Sequence, residues 1–192
     1  ADRIEVLRGR ASLLFGSSAI GGVVNVIDSR IPRSVPDEGL HVDGTATYGS
    51  AANERSAGAR VDAALSDKFV VHFDGTYSKT GDLHVGGYLL SPALRAQAEA
   101  SPDAEIRDLA DLKGTLPNSG SRMWDVAGGA AVVTGNGNLG FSVSRMGNLY
   151  GVPVRFSLDP AVEAEQVRID MHQTRVDMRA EINPASGFLE AI

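Results

Sequence analysis

Apolar and polar residues alternate along most of the chain, and this pattern predicts β-strands. In several segments beyond residue 39, apolar side chains recur at every second position, which is the spacing of one strand face. These segments are 40–48, 57–65, 69–77, 124–132, 139–143 and 167–182. Short turns are expected at 50–53, 66–68 and 134–137, so neighbouring strands should pair antiparallel. The pattern predicts a meander of about six strands, with residues 188–192 opening another.

Two long connections interrupt this alternation. Residues 81–121 lack it, and Ser101-Pro102-Asp103 is typical of a helix start, so we expect a short helix or two in this loop. Residues 150–166 form the second connection, which carries prolines and acidic side chains. Loops of this length are uncommon in compact domains and are often functional.

The last predicted strand changes parity along its length. The apolar residues from Val167 to Met171 and those from Val176 to Ile182 occupy opposite sets of alternate positions. A β-bulge near Gln173 would bring both sets to one face of the strand.

Long strands joined by alternately short and long turns are typical of transmembrane β-barrels. In such a barrel the apolar face would meet lipid. The charged face, which includes Arg60, Asp62, Asp74 and Asp125, would line a hydrated interior. A soluble β-sandwich has the same alternation, but the many small residues on these strands would pack its core thinly.

Aromatic residues lie near several predicted strand ends, where a membrane barrel carries an aromatic girdle. They are Tyr48, Tyr77 and Trp124. Arg145 shares the parity of the apolar residue Val143, and we expect it to lie beyond the hydrocarbon zone.

The first 27 residues have a different pattern, which predicts a small glycine-punctuated β unit. A strand begins at Arg3 and is broken by Gly9, and residues 11–15 have the length of one helical turn. Gly16 is free to adopt the positive φ that ends such a turn. Gly21-Gly22 forms a second turn, and a β-branched strand follows to residue 27.

The amino-acid sequence of this stretch is more specific than its pattern of apolar and polar residues. Residues 4–27 read I-E-V-L-R-G-x-A-S-L-L-F-G-S-x-A-I-G-G-V-V-N-V-I. This run resembles the end of the plug domain of TonB-dependent outer-membrane receptors, at the point where plug passes into barrel. Arg10 departs from the proline that the family usually has, and a looser turn is expected there.

The resemblance implies a mainly β fold: a transmembrane antiparallel β-barrel fragment preceded by the end of a small α+β plug domain. Residues 1–28 would be the C-terminal part of the plug, 29–38 a linker containing Pro32 and Pro36, and 39–192 the N-terminal portion of the barrel. The whole protein would reside in the outer membrane of a Gram-negative-type cell. It would take up a scarce ligand such as a ferric siderophore or metal chelate, energised by the TonB complex through a segment that this chain lacks.

Several residues acquire expected roles from the resemblance. Glu5 and Arg8 are the candidates for polar contacts between plug and barrel. The turn motif of the plug comprises Gly9, Gly16, Gly21, Gly22 and Asn25. The long connections offer His84, Asp159, Glu163 and Glu165 as ligand-contacting candidates.

The second long connection also resembles a subgroup of these receptors associated with zinc or other metals. The similar residues are Tyr150-Gly151-Val152-Pro153 and, later, V-R-I-D-M-H-Q-T-R-V-D-M-R-A-E. The subgroup typically carries a histidine-rich segment between them, whereas this chain has Phe156-Ser157-Leu158-Asp159. Metal specificity is therefore open.

Composition argues against other classes of function. A net charge of −6 and a pI near 5.2 disfavour nucleic-acid binding, and the lack of cysteine removes disulfides, thiolate metal sites and a cysteine nucleophile. The four histidines are scattered, so neither a preformed metal site nor a cofactor is expected. With no catalytic motif at a defensible spacing, we do not expect an enzyme. The alternatives are a soluble β-rich binding or adhesion module and a passive porin-like channel, which would lack the plug motif.

Overall fold

The structure, a computed structural model, describes residues 3–9, 15–17, 19–153, 157–159 and 166–182. In chain order its elements are β1 (Arg3–Arg8), β2 (Gly22–Ile27), β3 (Leu40–Gly49), β4 (Glu54–Ala64), β5 (Phe69–Lys79), β6 (Leu83–Tyr88), α1 (Pro92–Glu99), α2 (Ala104–Leu109), β7 (Lys113–Leu116), β8 (Ser121–Thr134), β9 (Gly137–Gly151) and β10 (Arg168–Ile182). The protein is mainly β and its strands pair antiparallel, which confirms the coarse fold predicted from the alternation.

None of the helices within the described residues is long and apolar enough to cross a membrane.

Strands β1 and β2 form a two-stranded sheet of their own, in which Ile4 lies opposite Val26 and Arg8 opposite Gly22. Gly9 and Gly16 have φ angles of 101° and 90°, so both occupy the left-handed region that favours glycine. The helical turn predicted at 11–15 lies outside the described residues except for its last position, and so does Arg10.

Six strands form the main sheet, in the order β10–β9–β8–β5–β4–β3. Within the described residues this sheet is open, with β3 and β10 at its edges. Because each strand reverses direction, both long connections and the turn at 50–53 lie at one end, which we name the loop end. The segment between β2 and β3, residues 28–39, enters the sheet from the opposite end, where the turns at 65–68 and 135–136 also lie. The further strand predicted at 188–192 is outside the described residues.

The two faces of the main sheet differ in composition and exposure. Cross-strand register aligns a mainly apolar row on one face, formed by Val42, Val61, Phe73, Gly128, Val143 and Val176. This apolar face is bare, with Phe73 60% and Val176 70% exposed. On the opposite, polar face, His72 and Ser142 are 1% and 2% exposed. The middle of the polar face is therefore covered while the apolar face is exposed, the reverse of a soluble sandwich. On the edge strands β3 and β10 the polar face is exposed, as at Asp43 and Arg175.

Residues 80–120 form a folded excursion between β5 and β8, which we name the loop module. Helices α1 and α2 pack together around the buried side chains of Leu90, Ala98, Ile106 and Ala110. Asp103 caps α2 by accepting a hydrogen bond from the backbone N–H of Glu105, which confirms the helix start predicted there. The two-stranded sheet of β6 and β7, whose strands are separated by both helices, and helix α1 were not predicted individually.

Strand β10 corrects the bulge predicted near Gln173. Its register with β9 runs without a shift from Arg168 opposite Gly151 to Ile182 opposite Gly137. Because both strands have 15 residues, an uninterrupted ladder pairs the whole of β10, whereas a bulge would leave one residue unpaired. The two sets of apolar residues consequently lie on opposite faces of the strand.

Arg145 lies on the apolar face with Val143, as its parity predicted. It pairs with Val126, one row closer to the middle of the sheet than the pair formed by Tyr77 and Trp124. Strand β9 continues regularly past Val143 and keeps its parity. The expectation that Arg145 lies beyond the hydrocarbon zone stays a prediction.

Candidate functional site

The most elaborate polar arrangement in the described structure lies where residues 28–39 cross the polar face of the sheet. Arg30 donates from Nε and from one terminal nitrogen to the two oxygens of Asp74, at 3.3 Å each. The same terminal nitrogen donates to Asp125 on β8. The side chains of Arg30, Asp74 and Asp125 are 21%, 17% and 16% exposed. A planar guanidinium that bridges two carboxylates fixes both the position and the orientation of the segment.

His72 lies beside this bridge and is almost completely buried. Its Nδ1 is 2.7 Å from a carboxylate oxygen of Asp62, and its Nε2 is 2.9 Å from Oδ2 of Asp74. Asp74 Oδ2 also accepts from Arg30, so a single carboxylate connects the histidine to the segment. Strand β4, strand β5 and the segment are thereby joined in one network.

Arg60 extends the network to the edge of the sheet. One terminal nitrogen donates to the hydroxyl of Ser29 at 3.0 Å, and the other lies 3.1 Å from a carboxylate oxygen of Asp43. Its Nε is 3.4 Å from Asp62. Arg60 on β4 thus binds the segment at Ser29, and Arg30 of the segment binds β5 and β8. We name the set Arg30, Arg60, Asp62, His72, Asp74 and Asp125 the linker cluster.

Electrostatics favour the charged form of Arg30. Partial burial lowers its pKa, but the hydrogen bond and charge of Asp74 outweigh this, together with the charges of Asp125 and Asp28. The net effect raises the pKa of Arg30 above its ordinary value. The guanidinium is a fixed cation that forms ion pairs with the carboxylates of Asp74 and Asp125 on the main sheet.

The backbone of the segment reaches the sheet where glycines leave room. A Cβ at Gly129 would overlap the carbonyl oxygen of Arg30, and one at Gly140 would lie 2.5 Å from Cγ2 of Ile31. Ile31 is 6% exposed. From β10, Arg179 donates to the carbonyl oxygen of Ile31 at 3.3 Å. The segment therefore contacts strands across most of the width of the sheet.

An open groove of about 490 Å³ runs beside the linker cluster. Its walls include the segment residues Asp28, Ser29 and Arg30 and the strand residues Thr45 and Thr76. The charged side chains of Arg60 and Asp74 are among its lining residues, although most of the exposed lining is apolar.

Both residues predicted to make polar contacts between plug and barrel, Glu5 and Arg8, lie in the β1–β2 sheet. Glu5 accepts a hydrogen bond from the side-chain amide of Asn25 at 3.0 Å and pairs with Arg3 at 2.8 Å. Arg8 is exposed at the end of β1, opposite Gly22. The contacts with the main sheet that the structure describes come instead from Ser29, Arg30 and Ile31, which were predicted to lie in the linker without a role. The glycines of the predicted turn motif, Gly9, Gly16, Gly21 and Gly22, bound the ends of the β1–β2 sheet or lie between its strands.

The ligand-contacting candidates lie at the loop end as far as the structure describes them. The backbone N–H of His84 donates to the carbonyl of Ala51, and His84 Nε2 is 3.2 Å from the side-chain nitrogen of Asn53. Asp159 lies in the second long connection and is exposed. Glu163 and Glu165 are outside the described residues. In the described ranges, no three residues of the His, Cys, Asp and Glu types come together as a metal site.

Asn118 fastens the second connection to the loop module. Its side-chain nitrogen donates to the carbonyl oxygens of Val152 and Val167, at 2.8 Å each. Leu158 packs against the helical core of the module. The two long connections are thus joined at their bases and through an apolar contact.

No protein-family model matches this sequence. Assignment to a class of protein therefore rests on the residues and the geometry described above.

Proposed function

We propose that this chain is the end of the plug and the first part of the barrel wall of a TonB-dependent outer-membrane receptor. The protein would import a scarce ligand such as a ferric siderophore or metal chelate, and would act by transport and not by catalysis. One observation carries the proposal: the sheet exposes its apolar face, while the segment that follows the plug-like residues covers the middle of its polar face.

The height of the apolar face supports a lipid-facing wall. On β5 the apolar face extends from Phe69 to Tyr77. At about 3.4 Å per residue this is roughly 27 Å along the strand, and a tilt of 35–45° reduces it to about 20 Å. The apolar band of outer-membrane barrels is roughly 25 Å tall, so the two dimensions are compatible.

The width of the same face disfavours a soluble monomer. Six strands spaced about 4.8 Å apart span roughly 24 Å, so the face covers about 650 Å² in projection alone. The largest apolar patch on a typical soluble monomer is about 300–600 Å² of accessible surface. A face of this extent needs a cover, and hydrocarbon is the cover that requires no second protein.

The linker cluster supports a plug that is held reversibly. A contact made of ion pairs and hydrogen bonds beside an open groove can exchange its partners for water at modest cost. A large apolar contact would lose its burial on release, at about 25 cal/mol for each Å² exposed. The polar contact is therefore suited to a segment that TonB-dependent pulling rearranges and that returns afterwards.

The arrangement of the connections supports one orientation of the protein in the membrane. The loop module and the second connection lie at one end of the sheet, and the linker enters from the other. In outer-membrane barrels the long loops are external and the short turns periplasmic. We place ligand capture at the loop end and the energising partner at the opposite end.

The test is to express the full-length gene product and follow both its location and its transport. We expect it in the outer-membrane fraction, resistant to alkaline washing and extracted only by detergent. A deletion strain should lose uptake of one labelled ferric siderophore or metal chelate and regain it on complementation. Recovery as a detergent-free monomer would favour the soluble binding module instead. Membrane insertion with uptake that is unaffected by loss of the energising complex would favour a passive channel.

A further inference from the structure

Three basic side chains lie side by side on the apolar face at the loop end. Register aligns Arg55 of β4 with Lys79 of β5, and Lys79 with Arg122 of β8. Their positions have the parity of the apolar residues on each strand, so all three project from the apolar face and not from the polar face. We name Arg55, Lys79 and Arg122 the basic row.

The basic row is solvent-exposed and lacks acidic partners. All three residues are exposed, and none forms an ion pair with an acidic side chain within the described part of the chain. This contrasts with the polar face, where both Arg30 and Arg60 are paired. Three unneutralised cations on neighbouring strands repel one another, so the arrangement is electrostatically suited to an anion.

Aromatic side chains lie directly next to the basic row, on the side towards the middle of the sheet. Tyr77 and Trp124 are paired in register two residues from Lys79 and Arg122. Tyrosine and tryptophan concentrate at the boundary between hydrocarbon and headgroups. If the apolar face meets lipid, the basic row is therefore at the depth of the headgroups.

We propose that the basic row binds the phosphate group of a membrane-lipid headgroup in the outer leaflet. The inference rests on the proposed function, because it needs the apolar face to meet lipid. Adjacent strands are about 4.8 Å apart, so the outer two of the three residues originate about 10 Å from each other. Long, flexible lysine and arginine side chains converge easily on one phosphate across that distance.

The proposal is tested with the purified full-length protein in neutral detergent micelles. Native mass spectrometry measures retention of phosphatidic acid, which carries a phosphate monoester, against phosphatidylcholine, which carries no net charge. The test variant is R55Q/K79Q/R122Q. The control variant is R33Q/K68Q/R175Q, which removes the same charge from three exposed positions, none of them on the apolar face at the loop end.

We expect the wild type and the control to retain phosphatidic acid in preference to phosphatidylcholine. Each basic residue near an anionic surface contributes about a fivefold preference, so the test variant should weaken phosphatidic acid binding by about 100-fold. A wild type without this preference, or a test variant that keeps it, overturns the proposal. Displacement of the lipid by millimolar inorganic phosphate would identify a soluble anion as the ligand and would also overturn it.

Detergent dependence is measured for both variants in parallel. Detergent dependence without a headgroup preference refutes only the proposal that the basic row binds a lipid phosphate, and leaves the proposed function in place. A protein that needs no detergent refutes the proposed function as well.

Discussion

Arg30→Gln is the most informative single change, because it removes the guanidinium that bridges the segment to two strands. Glutamine keeps much of the length and some hydrogen-bonding capacity but has no charge. Asp74 and Asp125 would then lie close together, 17% and 16% exposed, without the cation that faces them. We expect the segment to detach more often from the polar face of the sheet.

The size of the effect follows from burial. Removing one partner of a fully buried ion pair costs about 3–5 kcal/mol, because an uncompensated charge stays behind. These carboxylates keep some access to water, so we expect about 2–3 kcal/mol. Since about 1.4 kcal/mol is a factor of ten, the segment should open roughly 30- to 140-fold more often.

Hydrogen exchange with mass spectrometry measures this opening at the amides of residues 28–35 other than Pro32, which has no N–H. Arg33→Gln is the matched control, because Arg33 is an exposed arginine of the same segment. Combining Arg30→Gln with Asp125→Asn should cost less than the sum of the two single changes, since Asp125 reaches the segment through Arg30. A change of less than threefold in Arg30→Gln, or an equal change in Arg33→Gln, would refute the reasoning.

Three further changes test other contacts. Asn118→Gly keeps a positive φ but removes the side-chain amide that holds the second connection. We expect the protection of that connection against hydrogen exchange to fall by about 1–2 kcal/mol. Asn53→Gly is the control, and equal exchange in the two variants would count against the role of Asn118. Gly140→Ala should lower the free energy of unfolding by about 1–3 kcal/mol because its Cβ meets a buried isoleucine. Gly86→Ala, which meets nothing within 4 Å, should leave thermal or denaturant unfolding nearly unchanged. Replacing residues 81–120 by a short turn should preserve membrane assembly and abolish ligand uptake; normal uptake would exclude a capture role for the loop module.

The main sheet was predictable because its signal is local. Alternation on each strand predicts which residues share a face of the sheet. Short turns such as 134–137 predict which strands pair with each other. The helix that follows Asp103 was predictable for the same reason, since its cap lies beside it in sequence. The Ser91-Pro92 pair carries a comparable start signal for α1, and its side-chain hydrogen bond to the backbone N–H of Leu94 shows that it acts as a cap.

The linker cluster was not predictable because its partners are distant in sequence. Arg30 and Asp125 are 95 positions apart, and alternation shows only that Asp125 faces a polar side. Which cation meets it depends on where the linker crosses the sheet, and this is decided by the space above Gly129 and Gly140. The bulge near Gln173 was predicted on the assumption that apolar residues of one strand share a face, but the continuous ladder with β9 determines the pairing instead.

The central claim is that lipid covers the apolar face while water reaches the polar face. Residues 1–192 contain no cysteine, so single cysteines can be introduced there for spin labels after any cysteine elsewhere in the full-length protein is replaced by serine. Labels at Val61 and Val143 would report on the apolar face, and labels at Thr45 and Thr76, which are exposed beside the groove, on the polar face. In the full-length protein reconstituted in bilayers, we predict that oxygen relaxes the first pair strongly and a water-soluble nickel chelate relaxes the second. Nickel access at Val61 and Val143, or exclusion of both reagents from these two positions, would contradict the account.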